Sequence, residues 1–282
     1  ISFFQNYLIN LNLEELKPRF SNYPFLSGDS FLMLSDIAFL KNKKDKLILR
    51  ESNAPKICFL EVPVFNSLRN IDFLFRYEKI IIHNGDQSPN PEFINILLNK
   101  KIYVYAVNIF IKSKYLTPIP IGIENLYLGR NGSMHFFNQI KINNLKKNKD
   151  NLLLCSFSNS TNPAIRNKIS KDCKTYGFEN KFYSLVNYRK QLARSYFVLS
   201  PPGNGFDCHR TWEAIYLNTI PIVLRSYFGF SDLKLPILEV DSFEDFFILT
   251  DSEKIALYND LIKNKKEAMY IDWWIMNIRA NK

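Results

Sequence analysis

Tyr196–Leu224, YFVLSPPGNGFDCHRTWEAIYLNTIPIVL, decides how the rest of the chain is read. Tyr196–Ser200 is a short apolar run rich in strand formers. Pro201–Asp207 holds two prolines and two glycines, which rule out a helix and predict a loop. His209–Asn218 reads as a short helix, and Thr219–Leu224 as a second strand. Strand, loop, helix and strand in that order make a βαβ unit, the building block of a parallel sheet.

Working outward, the same alternation recurs. Ile57–Val62 (ICFLEV), Lys79–His83 (KIIIH) and Ile102–Val107 (IYVYAV) are further strands, each followed by a polar or Gly/Pro-containing stretch. Pro91–Asn99 carries apolar residues at helical spacing behind a proline suited to the first helical position. Leu116–Glu124 (LTPIPIGIE) is too rich in Pro and Gly for a helix and reads as a rigid extended loop. The polar run Asn143–Asp150 marks a boundary, giving domains of residues 1–148 and 149–282. In the second, Asn151–Phe157 is a buried strand and Ser158–Pro163 a turn with several possible helix caps. Pro163–Lys174 and Tyr183–Ser195 are helices, and Pro236–Val240 is a strand. Ser252–Ala280 is mostly helical, with an aromatic end, Met269–Ile278, that suits packing back across the first domain. The expected fold class is therefore α/β, in two domains.

Composition narrows the function classes. The chain has 282 residues, 46% hydrophobic and 15% aromatic, which favours packed cores over disorder. No apolar run approaches the roughly 20 residues needed to span a bilayer. The net charge of +10 fits either a Lys/Asn/Ile compositional bias or attraction to anionic partners such as nucleotide diphosphates or acidic lipids. The basic stretches Lys41–Arg50 and Lys141–Lys149 read as solvated connections with few interleaved aromatics, which argues against nucleic acid as a partner. Cys58, Cys155, Cys173 and Cys208 form no C-x-x-C pair, and a reducing compartment without disulfides is expected. The three histidines stand at no metal-binding spacing, so neither a metal nor a cofactor is expected.

The chemistry concentrates in Ser200–Glu213. Gly203 and Gly205 allow a backbone to approach a ligand closely. The helix that follows offers unpaired N–H groups and a positive dipole end, both suited to phosphate. Arg210, in its first turn, has the fork geometry for a diphosphate, and Glu213 lies one turn on, able to accept from ribose or sugar hydroxyls. The same residues also fit a surface Arg–Glu pair beside a glycine turn. The loop is neither a Walker loop nor a G-x-G-x-x-G fingerprint.

Leu199-Ser-Pro201, Gly203-Asn-Gly205, Arg210, Glu213-Ala214 and Thr219-Ile-Pro-Ile-Val223 together resemble the donor-binding region of exostosin-like glycosyltransferases and related bacterial polysaccharide enzymes. The likeness covers about residues 183–250. Pro118–Asn125 and Phe157–Arg166 also look similar to bacterial members. The resemblance implies two Rossmann-like domains facing a cleft, the GT-B arrangement, with a nucleotide-sugar donor on the C-terminal domain, a glycan or lipid-linked glycan acceptor, and no bound metal. The donor-binding residues it implies are Pro202, Gly203, Asn204, Gly205, His209, Arg210 and Glu213, with Ser158, Asn159 and Arg166 assisting. A cytoplasmic enzyme is expected, touching an anionic membrane surface at most peripherally. The alternative is a nucleotide- or glycan-binding module that lacks catalysis.

An inverting transferase also needs a general base. Asp86, in His83-Asn-Gly-Asp86 at the carboxyl end of a strand, is the first candidate, and partial burial there would strengthen it. Glu124 is the second, while a retaining mechanism needs neither. Asp86 fits an ordinary turn residue equally well, and Arg166 a solvated helix residue.

Overall fold

The computed structural model describes residues 22–41, 47–49, 56–128, 137, 149–227, 229–264 and 267–280. The chain divides into two compact units: Ile1–Tyr127 with Tyr270–Lys282, and Leu128–Met269. The boundary expected at residue 148 lies outside the described residues. Both units are mixed α/β with parallel strands, compatible with two Rossmann-like domains.

The first unit opens with a short helix, α1 (Gly28–Leu32), followed by β1 (Ile37–Phe39), β2 (Leu47–Ile48), β3 (Ile57–Glu61), α2 (Val62–Ser67), β4 (Lys79–His83), α3 (Pro91–Asn99), β5 (Tyr103–Ala106) and β6 (Leu116–Pro118). The strands form one sheet in the order β2-β1-β3-β4-β5-β6. All neighbours are parallel except the edge pair β1–β2. All five residues of β3 and of β4 are buried, as strands flanked on both edges and covered on both faces require. Helix α3 starts where expected: Asn90 accepts the Glu92 N–H, Pro91 needs no partner for its missing donor, and Ile94 and Leu97 bury one face. The stretch expected as an extended loop supplies β6, which pairs with β5.

The second unit runs β7 (Asn151–Leu154), α4 (Pro163–Thr175), α5 (Leu185–Arg194), β8 (Ser195–Leu199), α6 (His209–Tyr216), β9 (Ile220–Leu224), β10 (Leu238–Val240), α7 (Glu244–Phe247) and α8 (Asp251–Leu261). Its four strands are all parallel, in the order β10-β9-β8-β7. Leu153, Phe157, Ile169, Phe197, Ile222 and Phe246 lie at the centre of its core. Lys149 corrects one expectation. Instead of ending a solvated run, its Nζ donates to the carbonyls of Ala193 and Ser195 and to Thr219 Oγ1, at 3.1, 2.7 and 3.2 Å. Burial lowers its pKa to about 7.

The last helix, α9 (Ile271–Ala280), belongs to the first unit. Ile271, Trp274, Ile275 and Ile278 are buried along one stripe, and Trp274 meets Phe31 of α1 edge-on with ring centroids 5.9 Å apart. Lys79 of β4 donates to the carbonyls of Ile278 and Arg279, satisfying acceptors that a helix end leaves open.

Candidate anion site on the second unit

The loop Ser200–Cys208 leaves the carboxyl end of β8, where parallel sheets commonly hold ligands. It is tied from beneath by Arg166 of α4. Arg166 Nε donates to Pro202 O (2.8 Å) and Nη2 to Pro201 O (2.9 Å) and, weakly, to Cys208 Sγ (3.9 Å). Its Nη1 donates to Ser158 O (2.9 Å) and Thr161 Oγ1 (2.5 Å). All five N–H donors thus have protein partners, and the side chain is buried. This corrects the expectation that Arg166 reaches phosphate, and it removes the alternative of a solvated helix residue. Arg166 is the tether of the loop. Burial presses its pKa below the ordinary arginine value, and the nearby charge of Arg210 adds to that.

Gly203 owes its identity to the same tether. A Cβ there would stand 2.8 Å from Arg166 Nη2, so the missing side chain makes room for a guanidinium rather than for a ligand. The Gly203 N–H donates to Gly205 O at 2.9 Å, closing a tight turn with Asn204 exposed at its tip. Ser158 and Asn159 are engaged locally. Ser158 Oγ lies 2.8 Å from Ser160 Oγ and caps the short turn after β7. Asn159 Oδ1 accepts from Ser170 Oγ at 2.9 Å. Asp207 accepts from Nε1 of the fully buried Trp212 at 2.9 Å, which pins the far end of the loop to α6.

Helix α6 has no acidic residue in its first turn and no side-chain cap on Cys208. His209 and Arg210 occupy that turn instead, where the helix dipole disfavours a cation unless an anion lies beside it. Glu213 is buried, not at the surface as a solvated Arg–Glu pair would have it. Its Oε1 lies 3.7 Å from Nη2 of Arg189, a residue of α5 with no exposed surface. Arg189 also stacks over the Phe137 ring at 4.4 Å. The Tyr188 hydroxyl is buried next to Arg210 and Glu213; burial raises its pKa and the Arg210 charge partly offsets this. Arg210 Nε is buried and finds no hydrogen-bond acceptor among the described residues.

Among the described residues, the arginines here (Arg166, Arg189 and Arg210) outnumber the carboxylates (Asp207 and Glu213). Burying an uncompensated charge is expensive, and an anionic ligand relieves that cost. Arg189 and Tyr188 are absent from the sequence-based site. Their signal is the spacing Arg189, Leu192 and Ala193, one buried face of α5 on which an arginine occupies a core position.

The first unit holds the two candidate bases. Asp86 follows β4, and its carbonyl accepts from Asn108 Nδ2 at 2.9 Å, but its side chain is exposed. The burial expected to strengthen it as a base is not there. Glu124 is half-buried, and its carbonyl accepts from Asn22. Between β4 and α1 lies a polar network. His83 Nε2 donates to Pro120 O (2.9 Å) while Nδ1 accepts from the Asn84 N–H (2.6 Å), which fixes a neutral ring. Asn125 Nδ2 donates to Asn84 Oδ1, and Asn125 Oδ1 accepts from the Asp29 N–H, both at 2.9 Å.

No protein-family model matches the chain, and no curated protein matches it above chance similarity.

Proposed function

We propose that the chain is a glycosyltransferase of GT-B type that moves a sugar from a nucleotide-sugar donor to a glycan or lipid-linked glycan acceptor. The observation that carries the reading is the surplus of arginine around Arg210 among the described residues, none of which offers its Nε an acceptor at the start of α6. A diphosphate fits there because its oxygens take up the open guanidinium donor and the helix N–H groups together. As the sugar departs, negative charge grows on the leaving nucleotide, and Arg210 stabilises it where it develops. Glu213, held by Arg189, is the acceptor for a ribose or sugar hydroxyl. His209 and Asn204 are the other polar side chains of the loop with exposed surface. The resemblance over residues 183–250 narrows the anion from any phosphate to a nucleotide-sugar. In an inverting reaction Asp86 or Glu124 takes the acceptor proton. The second reading, a nucleotide- or glycan-binding module, shares the anion site and differs only in turnover.

A thermal-shift panel of nucleoside diphosphates and their sugar conjugates tests this directly, since a ligand that binds only the folded chain raises its melting temperature. The expected result is a shift with one nucleotide class, lost in Arg210→Ala. A panel with no shift at all would refute the proposal. Binding without sugar transfer to any acceptor would leave the binding module. Transfer is expected to survive EDTA.

A further inference from the structure

The second unit contains a pair of thiols that the anion site does not use. Cys155 follows β7 and Cys173 lies in the last turn of α4, and both are buried. The Cys173 thiol donates to Cys155 Sγ at 3.6 Å, inside a core otherwise made of Leu153, Phe157, Ile169 and Phe197. Two features separate this pair from the other cysteines. Cys58 is equally buried, but its thiol points to the Phe59 carbonyl. Cys208 donates to Pro201 O and accepts from Arg166. Only Cys155 and Cys173 face another sulfur among the described residues. Closing 3.6 Å to a disulfide bond of about 2.05 Å takes about 1.5 Å of sulfur movement, within the reach of side-chain rotation.

We propose that Cys155 and Cys173 form an oxidisable dithiol that a small peroxide converts to a disulfide stapling α4 to the sheet. In the first step one sulfur takes an oxygen from hydrogen peroxide; the O–O bond breaks, and a sulfenic acid and one water result. In the second, the other sulfur displaces that oxygen as a second water, and the S–S bond forms. Two electrons pass from the thiols to the peroxide, and the two thiol protons end in the waters. Both sulfurs lie within an apolar core, so the conversion is slow and selective for small oxidants. The staple has a location that matters. Arg166, Ile169 and Cys173 form the buried face of α4, so the bond fixes the helix that tethers the glycine loop.

The test uses the whole chain, treated with excess hydrogen peroxide or left untreated, then denatured and alkylated with iodoacetamide. The untreated chain is expected to take four labels, one per cysteine, and the treated chain two, with the peptides of Cys155 and Cys173 joined. Its melting temperature is expected to rise by about 5 °C or more, and dithiothreitol should reverse this. Cys173→Ser should show neither change. Should that variant fail to fold, Cys58→Ser combined with Cys208→Ser keeps only the pair and should lose both remaining labels. Four labels after treatment, or oxidation of Cys58 or Cys208 with the pair still reduced, would overturn the proposal.

Discussion

The carboxyl ends of β4 and β8 carry polar clusters of similar size and opposite character. After β4, both nitrogens of His83 are hydrogen-bonded, Asn125 links Asn84 to the Asp29 N–H, and the carboxylates of Asp29 and Glu61 are buried beside them. After β8, arginines outnumber carboxylates, and a buried Arg210 donor has no acceptor among the described residues. Carboxylates and amides after β4 hold backbone, whereas an excess of arginine after β8 leaves interaction energy for an anion. Polar residues at the end of a strand are therefore weak evidence of a site, and their unspent hydrogen-bonding capacity is stronger evidence.

Substitutions can break this contrast. The largest effect is expected for Arg210→Ala, which removes the open donor. Turnover should fall by about 100-fold or more while the melting temperature changes little, as steady-state kinetics beside thermal melts would show. Next comes Arg166→Ala. It strands the buried carbonyls of Pro201 and Pro202, and about 3 kcal/mol of stability should be lost in a denaturant titration. An Arg166 that instead bound phosphate would lose affinity with no loss of stability. Gly203→Ala forces a methyl group against Arg166 Nη2 and should cost about 1–2 kcal/mol, the milder form of the same damage.

A fourth test uses pH. Lys149 titrates near 7 in the folded chain, against an ordinary value of 10.5. Between those values the unfolded chain binds the proton and the folded chain does not, so stability rises with pH from about 7 towards 10. Below 7 both states are protonated and the contribution is flat, at its least favourable. Melting curves at pH 7 and pH 9 should show the rise in the native chain and a smaller one in Lys149→Met. The smallest effect on stability is expected for Asp86→Asn, whose exposed side chain should leave the melting temperature within about 1 °C. In an inverting enzyme that uses Asp86, the same variant stops turnover. Unchanged turnover would shift the base to Glu124 or indicate a retaining mechanism.

Much of the fold was legible. The β-branched run of β4 and the Asn90–Pro91 start of α3 are local signals, and the structure places both elements at the expected residues. Strand β1 escaped because three residues carry no periodicity; its pairing with β3 makes it a strand. Helix α2 escaped because Val62 reads as the end of the strand and Pro63 as the start of a connection, whereas Pro63 lies in the first turn of the helix. At the site, loop, helix and Arg210 were visible as a pattern. The roles of Gly203 and Arg166 were not, because a glycine kept for a ligand and one kept for a neighbouring guanidinium look alike in sequence. Arg189 stayed hidden because a hydropathy pattern counts arginine as surface, and only the fold reveals that a carboxylate and an aromatic ring await it inside.

The return of α9 to the first unit bears on how the protein is made. A ribosome releases residues 270–280 after every residue of the second unit, so that unit can reach its full set of core contacts while the first still lacks Trp274 and Ile278. Until then Phe31 of α1 lacks the Trp274 ring, and Lys79 of β4 lacks the carbonyls that receive it. Of the two units, the one begun earlier is finished last. A cut just before residue 270 would therefore do its damage near the start of the chain, among residues more than two hundred positions away.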